Sequence, residues 1–427
     1  MGVERNEFGL ATWDCWLETE FMADYDIVIV GGGLVGLSLA CALGRSDLSV
    51  AVIESADLTA ALVPSDDART LALAYGSKRI FEGIGVWSDI QARGVTPIKR
   101  IHVSNRGHFG VTRLNAAGAG IEALGYVVEM PVLGAVLYQT LAAFDSIHVI
   151  SPATMEKITF GNDAVSLDVG QRGLTKTITA RLIVGADGGR SRVREAVGID
   201  ARRVDYGQSA IVANISASIA HGNVAYERFT DSGPLALLPM RDNRCTVVWS
   251  ARTREVDTIL GWDDNAFLQR LQERFGDRLG RFCQVSRRQA YPLYLTRVDE
   301  HVCARAALVG NAAHTVHPVA GQGFNLGLRD VATLSEVLVD ATRAGHDIGD
   351  VQVLAQYMKL RERDTAAVTA FTDGLIRIFA NSFAPLAFAR NLGLIATDLL
   401  PPLKRALIRR SSGLAGRLPR LARGLPL

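Results

Sequence analysis

With 427 residues, 48% hydrophobic and 21% charged, the chain is long and apolar enough to bury a large core in two or more subdomains. Its 46 basic residues nearly balance its 44 acidic ones, which argues against a dedicated nucleic-acid binder. Five cysteines, at 15, 41, 245, 283 and 303, are odd in number and include no CxxC pair; they give no disulfide or zinc framework and fit a reducing compartment, the cytoplasm by default.

The first 23 residues carry five acids and no apolar run of signal-peptide length, so they read as a loosely held extension, with Met22 as an alternative start. No stretch reaches the roughly 18 to 20 continuous apolar residues of a membrane span. Residues 24–54, DYDIVIVGGGLVGLSLACALGRSDLSVAVIE, read as strand, glycine turn, helix (34–43) and second strand (50–53). Gly31, Gly33 and Gly36 form GxGxxG, and Glu54 ends the second strand about 20 residues on. Gly31 permits the sharp turn, Gly33 lets a pyrophosphate approach the backbone, and Gly36 lets helix and strand pack closely. The helix start, with Leu34 and Val35 in its first turn, offers free N–H groups to phosphates. Glu54 is placed to accept hydrogen bonds from an adenosine ribose and to repel a 2′-phosphate, so the tightly held nucleotide is FAD or NAD rather than NADP.

Further along, ARLIVGADGGRSRVRE (180–195) is an apolar strand ending in Asp187-Gly188, with Ser191 and Arg194 completing DGxxSxxR. Short alternating runs at 209–219, 223–229, 235–240 and 245–251 read as an antiparallel meander. A helix follows over 263–276, with Asp264 as N-cap and Phe267, Leu268, Leu271 and Phe275 on one face. Then comes GNAAHTVHPVAGQGFNLGLRD (310–330), and beyond 328 the pattern is helical to the end. His314 and His317 lack the acid or cysteine cluster of a metal site, so they read as packing and hydrogen-bonding groups, with no metal expected. After Asp398, 29 residues carry seven Lys or Arg and no acid, interleaved with leucines. That pattern suits contact with anionic lipid heads.

The three motifs in this order, GxGxxG, DG and GNAAHTVHPVAGQGFN, resemble those of the group A flavoprotein aromatic hydroxylases, over residues 24 to 395. DARTLALAYGS (67–77), HVSNRGHFG (102–110), GYVVE (125–129) and YERFTDSGPLALLPM (226–240) are most similar to the ubiquinone-biosynthesis hydroxylases, especially those acting on 2-polyprenyl-6-methoxyphenol.

The resemblance implies an α/β fold: a discontinuous Rossmann-like FAD-binding domain (24–97, 131–205, 290–345), an inserted antiparallel-sheet substrate domain (98–130, 206–289), and C-terminal helices with a basic tail (346–427). One face of the substrate sheet is expected to pack on the 263–276 helix and the other to roof the flavin. The resemblance also implies that Arg69 and Asp187 reach the cofactor, and that Gly310 and Asn311 approach its ribityl and pyrophosphate. Pro318, Gly321, Gly323, Phe324 and Asn325 then lie along the isoalloxazine. The family has Asp where Asn311 stands, which removes a charge there.

As chemistry, the resemblance implies FAD as bound cofactor, with NAD(P)H as transient reductant and O2 as co-substrate. Oxygen adds at C4a of the flavin and passes to an electron-rich phenol ring. Tyr226, Tyr291, His102 and His108 are candidates by residue type alone for activating that phenol. The expected partners are a polyprenylated phenol, a membrane surface met through the basic tail, and a complex with other ubiquinone-biosynthesis proteins, which places the protein peripherally on the inner face of the membrane. Two alternatives stay open: a hydroxylase of a soluble aromatic acid, which calls for a cation inside the substrate domain, and a non-catalytic assembly subunit holding FAD.

Overall fold

A computed structural model of the protein describes residues 23–59, 69–381 and 383–427. The N-terminal extension with Met22, and Asp67 and Ala68 of the arginine stretch, lie outside the described residues.

The β-branched run Tyr25–Val30 and the apolar Val50–Ile53 form adjacent parallel strands at the centre of an eight-stranded sheet. On its other side Tyr25–Val30 pairs, also in parallel, with Leu174–Gly185, the strand that ends in the DG motif. Ala306–Leu308, which leads into the GN motif, continues the parallel order next to it. All three motifs therefore leave the carboxyl ends of neighbouring parallel strands, where an open α/β sheet places its ligand. The helix Leu34–Leu43 follows the glycine turn where the sequence predicts it and is buried along most of its length, against Gln322–Arg343 and Met130–Leu141.

A nine-stranded, mainly antiparallel sheet forms the second layer, in the order His314–Thr315, Gln289–Val298, Ala201–Ala217, Arg244–Arg252, Gly233–Pro239, Val224–Thr230, Arg100–Asn105, Val111–Asn115, with Phe282–Val285 at the side. Period-two alternation divides its residues. Ile211, Ile215, Leu235, Leu237, Val247 and Trp249 pack on the helix Asp264–Phe275, whose buried face is Phe267, Leu268, Leu271 and Phe275 as expected. The N-cap is Asp263 rather than Asp264: its carboxylate accepts from the Ala266 N–H at 2.8 Å.

The sheets run through the expected domain limits. Ala201–Ala217 is one continuous strand across 205/206, and Gln289–Val298 belongs to the second sheet although 290 is the expected return to the nucleotide domain. Within 98–130, Arg100–Asn105 and Val111–Asn115 join the second sheet, whereas Gly125–Glu129 pairs with Thr70–Ala74 in a separate three-stranded sheet.

Four helices follow, Gln322–Arg343, Val351–Ala380, Ala384–Leu399 and Pro401–Ser411, but the expected helix does not run to the end: residues 412–427, rich in Gly and Pro, are turns and loop with one short 3-10 turn at Leu421–Arg423. The last residues do not form a free arm. Leu421 and Ala422 are buried against the helix Tyr75–Ile84, while Arg420 pairs with Asp340 at 2.5 Å and Arg417 lies 3.8 Å from Glu336.

Candidate active site

Close backbone packing shapes the nucleotide end of the site. Gly31 has φ +108°, and a Cβ there would lie 2.5 Å from the Ala186 carbonyl oxygen; one on Gly36 would lie 1.9 Å from the Gly31 oxygen. A Cβ on Gly33 would instead meet nothing within 4 Å, because this residue faces a cavity. No side chain caps the helix that starts after it, so its first N–H groups and positive dipole end remain available to an anion. Glu54 ties the turn down: Oε2 accepts from the Gly32 N–H at 2.7 Å and Oε1 from Ala56 at 2.8 Å.

The other two motifs are bonded to each other. Asp187 Oδ2 accepts from the N–H groups of Arg192 (2.7 Å) and Val193 (3.2 Å). Its Oδ1 is buried with no protein partner, an acceptor left over for a ligand hydroxyl. Ser191 caps the short helix that follows, and Arg194 reaches the carbonyl oxygens of Ala312 (2.9 Å) and Gly189 (3.1 Å).

Beneath the GN motif, the fully buried Asp330 accepts from the Gly310 N–H (3.0 Å), His314 Nε2 (2.6 Å) and Arg361 Nε (2.7 Å). Burial by itself would raise the Asp330 carboxyl; His314 and Arg361 outweigh it and hold the group well below the usual carboxylate range. His314 is thus accounted for by a carboxylate. His317 is fully buried, accepts from the Val319 N–H at 3.2 Å and packs edge-on to Tyr206; burial pushes its imidazole down to about 4.

These elements enclose one cavity of about 940 Å³. Gly33, Leu34, Val35, Arg69, Gly310, Asn311, Pro318, Gly321, Gly323, Phe324 and Asn325 all line it. Gly31, Gly36, Glu54 and Asp187 are not among its lining residues; they sit at its edge, beside the lining residues Gly33, Ala186 and Gly188. The Asn325 side chain is saturated by protein: it accepts from the Ala74 N–H and Ser77 Oγ, both 2.7 Å, and donates to Ala72 O (2.8 Å) and Gly321 O (2.5 Å). It therefore clamps the 70–74 strand to the 322–343 helix and leaves its backbone to a ligand. Phe324 stacks on Phe81. The residues present fit a flavin dinucleotide: small or absent side chains along one wall, two uncapped helix starts at Gly33 and Gly321, and the orphaned Asp187 oxygen.

From there the cavity continues under the second sheet, whose Ala210, Val212, Ala225, Ala236, Leu238 and Val248 form an apolar roof, and ends among Phe371, Leu375, Phe379, Leu394 and Leu407 of the last helices. Glu227 is the one carboxylate among the described lining residues. Of the four candidate phenol activators, Tyr291 lines this cavity and its hydroxyl donates to Gln289 Oε1 at 2.5 Å. The Tyr226 ring packs on Phe275 and His102 on the far side of the sheet, and His102 and His108 line a separate pocket. Two of the four, His102 and His108, are thereby removed from the chemistry, and Tyr226 touches the cavity wall with its ring turned to the other face of the sheet.

Residues 24–372 match the family model described as FAD binding domain. The chain is 42% identical to ubiquinone hydroxylase UbiL of Rhodospirillum rubrum over 94% of its own length and 93% of that protein's. It is 34% identical to 3-demethoxyubiquinol 3-hydroxylase of Escherichia coli (91% and 98% covered) and 31% identical to the mitochondrial ubiquinone biosynthesis monooxygenase COQ6 of Homo sapiens (93% and 95%). The chain belongs to the FAD-dependent hydroxylases of ubiquinone biosynthesis. The fold of this hydroxylase is also that of p-nitrophenol 4-monooxygenase from Pseudomonas putida, at TM-score 0.77 and 20% identity, covering 92% and 99% of the two chains. FAD is its cofactor, with NAD(P)H and O2 as in its class.

Sequence reasoning about the hydroxylase missed Arg194 and Asp330 as bonds within the site, although both sit inside quoted motifs. It also missed Glu227, which only the strand register places in the cavity: Glu227 pairs with Val103, another lining residue.

Proposed function

We propose that this hydroxylase inserts one atom of O2 into the ring of a polyprenylated phenol of the 2-polyprenyl-6-methoxyphenol type, the other atom leaving as water at the expense of one NAD(P)H. The observation that carries this reading is the apolar length of the cavity, which runs from the nucleotide motifs to the helices 384–399 and 401–411 and suits a ring with a prenyl tail.

In this reading Gly33, Leu34 and Val35 hold the pyrophosphate and Glu54 the ribose. Asp187 Oδ1 and Asn311 meet ribityl hydroxyls, and the backbone from Pro318 to Asn325 lies along the ring. FAD, when bound, supplies hydride acceptance and oxygen activation. Glu227 accepts the phenol proton and so raises electron density on the ring. The apolar roof keeps water from the reacting atoms. Glu227 also weighs against a soluble aromatic acid as substrate: it would repel a carboxylate, and no arginine from the second sheet lines the cavity among the described residues. Arg390, which does line it, donates through Nη1 to the carbonyl oxygens of Ile378, Phe379 and Asn381.

The reading includes a membrane-surface position, because the substrate tail is lipid-like. Among the described residues no helix is long and apolar enough to cross a membrane. Phe383, Phe388, Leu392, Leu399, Leu400 and Leu403 are exposed near Lys404, Arg405, Arg409 and Arg410, a composition suited to interfacial contact. A complex with other ubiquinone-biosynthesis proteins would share that surface.

The test is purified protein with bound flavin. A prenylphenol should stimulate NAD(P)H oxidation and gain one oxygen by mass spectrometry. Turnover of benzoates in preference to prenylphenols would replace this reading with the soluble-acid one.

A further inference from the structure

The strands Arg100–Asn105 and Val224–Thr230 serve two compartments at once. Ile101, Val103, Ala225 and Glu227 face the large cavity, whereas His102, Asn105 and Arg228 face a second pocket of about 240 Å³ on the outer side of the sheet, with Arg278 also lining it.

This outer pocket holds unused hydrogen-bonding atoms. Asn105 Nδ2, Arg228 Nε and His102 Nε2 are all buried with no hydrogen-bond partner, and Asn105 is 5% exposed. Buried polar atoms in folded proteins are nearly always paired, so three orphans around one pocket mark the place of an absent partner. Charge gives its sign. Arg113 at the rim is neutralised by Asp398 at 2.6 Å, which Lys404 also meets at 3.1 Å. Among the described residues Arg228 and Arg278 form no ion pair. Burial, then the neighbouring Arg278, Arg113 and Arg228, push the His102 imidazole down to about 4, and burial with Arg278 and Arg106 lowers the Arg228 guanidinium too. An oxyanion relieves both effects, accepting from the orphaned donors and offsetting the charge.

What carries the oxyanion follows from the rim. Phe109 lines the pocket, is 59% exposed and meets Phe388, 58% exposed, edge-on at 6.4 Å. Phe388 belongs to the helix Ala384–Leu399, which is bound to the pocket's edge: Asn391 Oδ1 accepts from the Gly110 N–H at 3.1 Å and Leu394 O from Thr112 Oγ1 at 2.7 Å. Leu392 and Leu399 extend the apolar surface along the same helix. Two exposed aromatic rings beside a cationic hollow match an amphiphile whose phosphate and chains lie side by side.

We propose that this pocket binds the phosphate of an anionic phospholipid headgroup while Phe109 and Phe388 enter the adjoining acyl region. The assignment rests on the membrane-surface reading above and adds to it a specific anchor that sets the enzyme's orientation on the bilayer.

The test sediments the flavin-loaded enzyme with phosphatidylcholine vesicles, with and without phosphatidylglycerol. The wild type should favour the anionic vesicles. Arg228→Gln and the more exposed Arg278→Gln should each weaken that preference about fivefold, with flavin content unchanged as a check on folding. Phe109→Ser with Phe388→Ser should weaken binding to both vesicle types. Equal binding of wild type to the two vesicle types, or anionic preference retained by both arginine variants, overturns the proposal. So does loss of NADPH affinity in those variants with vesicle binding intact, which would assign the pocket to the reductant's phosphate. Turnover of detergent-dispersed prenylphenol, which needs no vesicle, separates failure of this anchor from failure of the hydroxylase reading.

Discussion

Arg194 donates through Nη1 to the carbonyl oxygen of Ala312 at 2.9 Å, a bond between residues 118 positions apart that locks the DG motif to the GN motif. The guanidinium is buried and its Nη2 holds Gly189 O as well. Arg194→Met keeps the aliphatic bulk and leaves both carbonyls without these donors. The expected loss is about 2 to 4 kcal/mol in urea unfolding of the flavin-free protein, with a lower flavin-to-protein absorbance ratio after purification. Added FAD should recover part of the stability by mass action.

Asp330→Asn tests the buried network beneath Gly310. The amide can still accept from the Gly310 N–H, but it removes the negative charge between His314 and Arg361. Breaking a buried ion pair from one side costs about 3 to 5 kcal/mol. Thermal unfolding should show this loss, and Arg361→Met in the same background should cost less than it does alone, since the cation has already lost Asp330 and keeps only Asp364 as an ionic partner among the described residues.

His317 makes stability fall with acid. Its folded-state value is near 4 because burial disfavours the charged ring, whereas an unfolded histidine titrates near 6.5. Between these values the unfolded chain takes up a proton that the folded one refuses, so folding weakens as pH falls from about 6.5 to about 4. The contribution sums to about 3 kcal/mol. Urea unfolding across that range should be less pH-dependent in His317→Gln than in the wild type; parallel curves would rule the assignment out.

Glu227→Gln keeps the size of the side chain and removes its capacity to take a proton. Turnover of a prenylphenol should fall about 100-fold or more, with flavin content unchanged. The loss should shrink for more acidic phenols, which reach the phenolate without help. An equal loss for every phenol would indicate a merely structural role.

The parts of the fold that were readable from sequence are those fixed by short-range pattern. The GxGxxG turn, the helix 34–43 and the strand 50–53 match because glycine placement and apolar runs act within one βαβ unit. The meander and the face of helix 264–275 match because periods of two and 3.6 need no knowledge of partners. Long-range pairing was not readable. Ala201–Ala217 continues through the expected boundary because Gln289–Val298 pairs with it on both sides of that boundary, at 201–205 and 209–212. In the same way, the charge run after Asp398 does not show that Arg420 folds back on Asp340 and Glu336. Within the site, glycines announced the nucleotide wall, but Glu227 entered the cavity, and His102 left it, only through register.

That register has a consequence for how the protein can vary. Because alternate side chains of 101–104 belong to the greasy chamber and to the cationic hollow, a one-residue slip of this strand would swap the two inventories, moving a histidine into the chamber and an isoleucine among the arginines. Length changes in the connecting turns leave that division intact. The strand's reading frame is the partition between chemistry on one side and the protein's outer surface on the other.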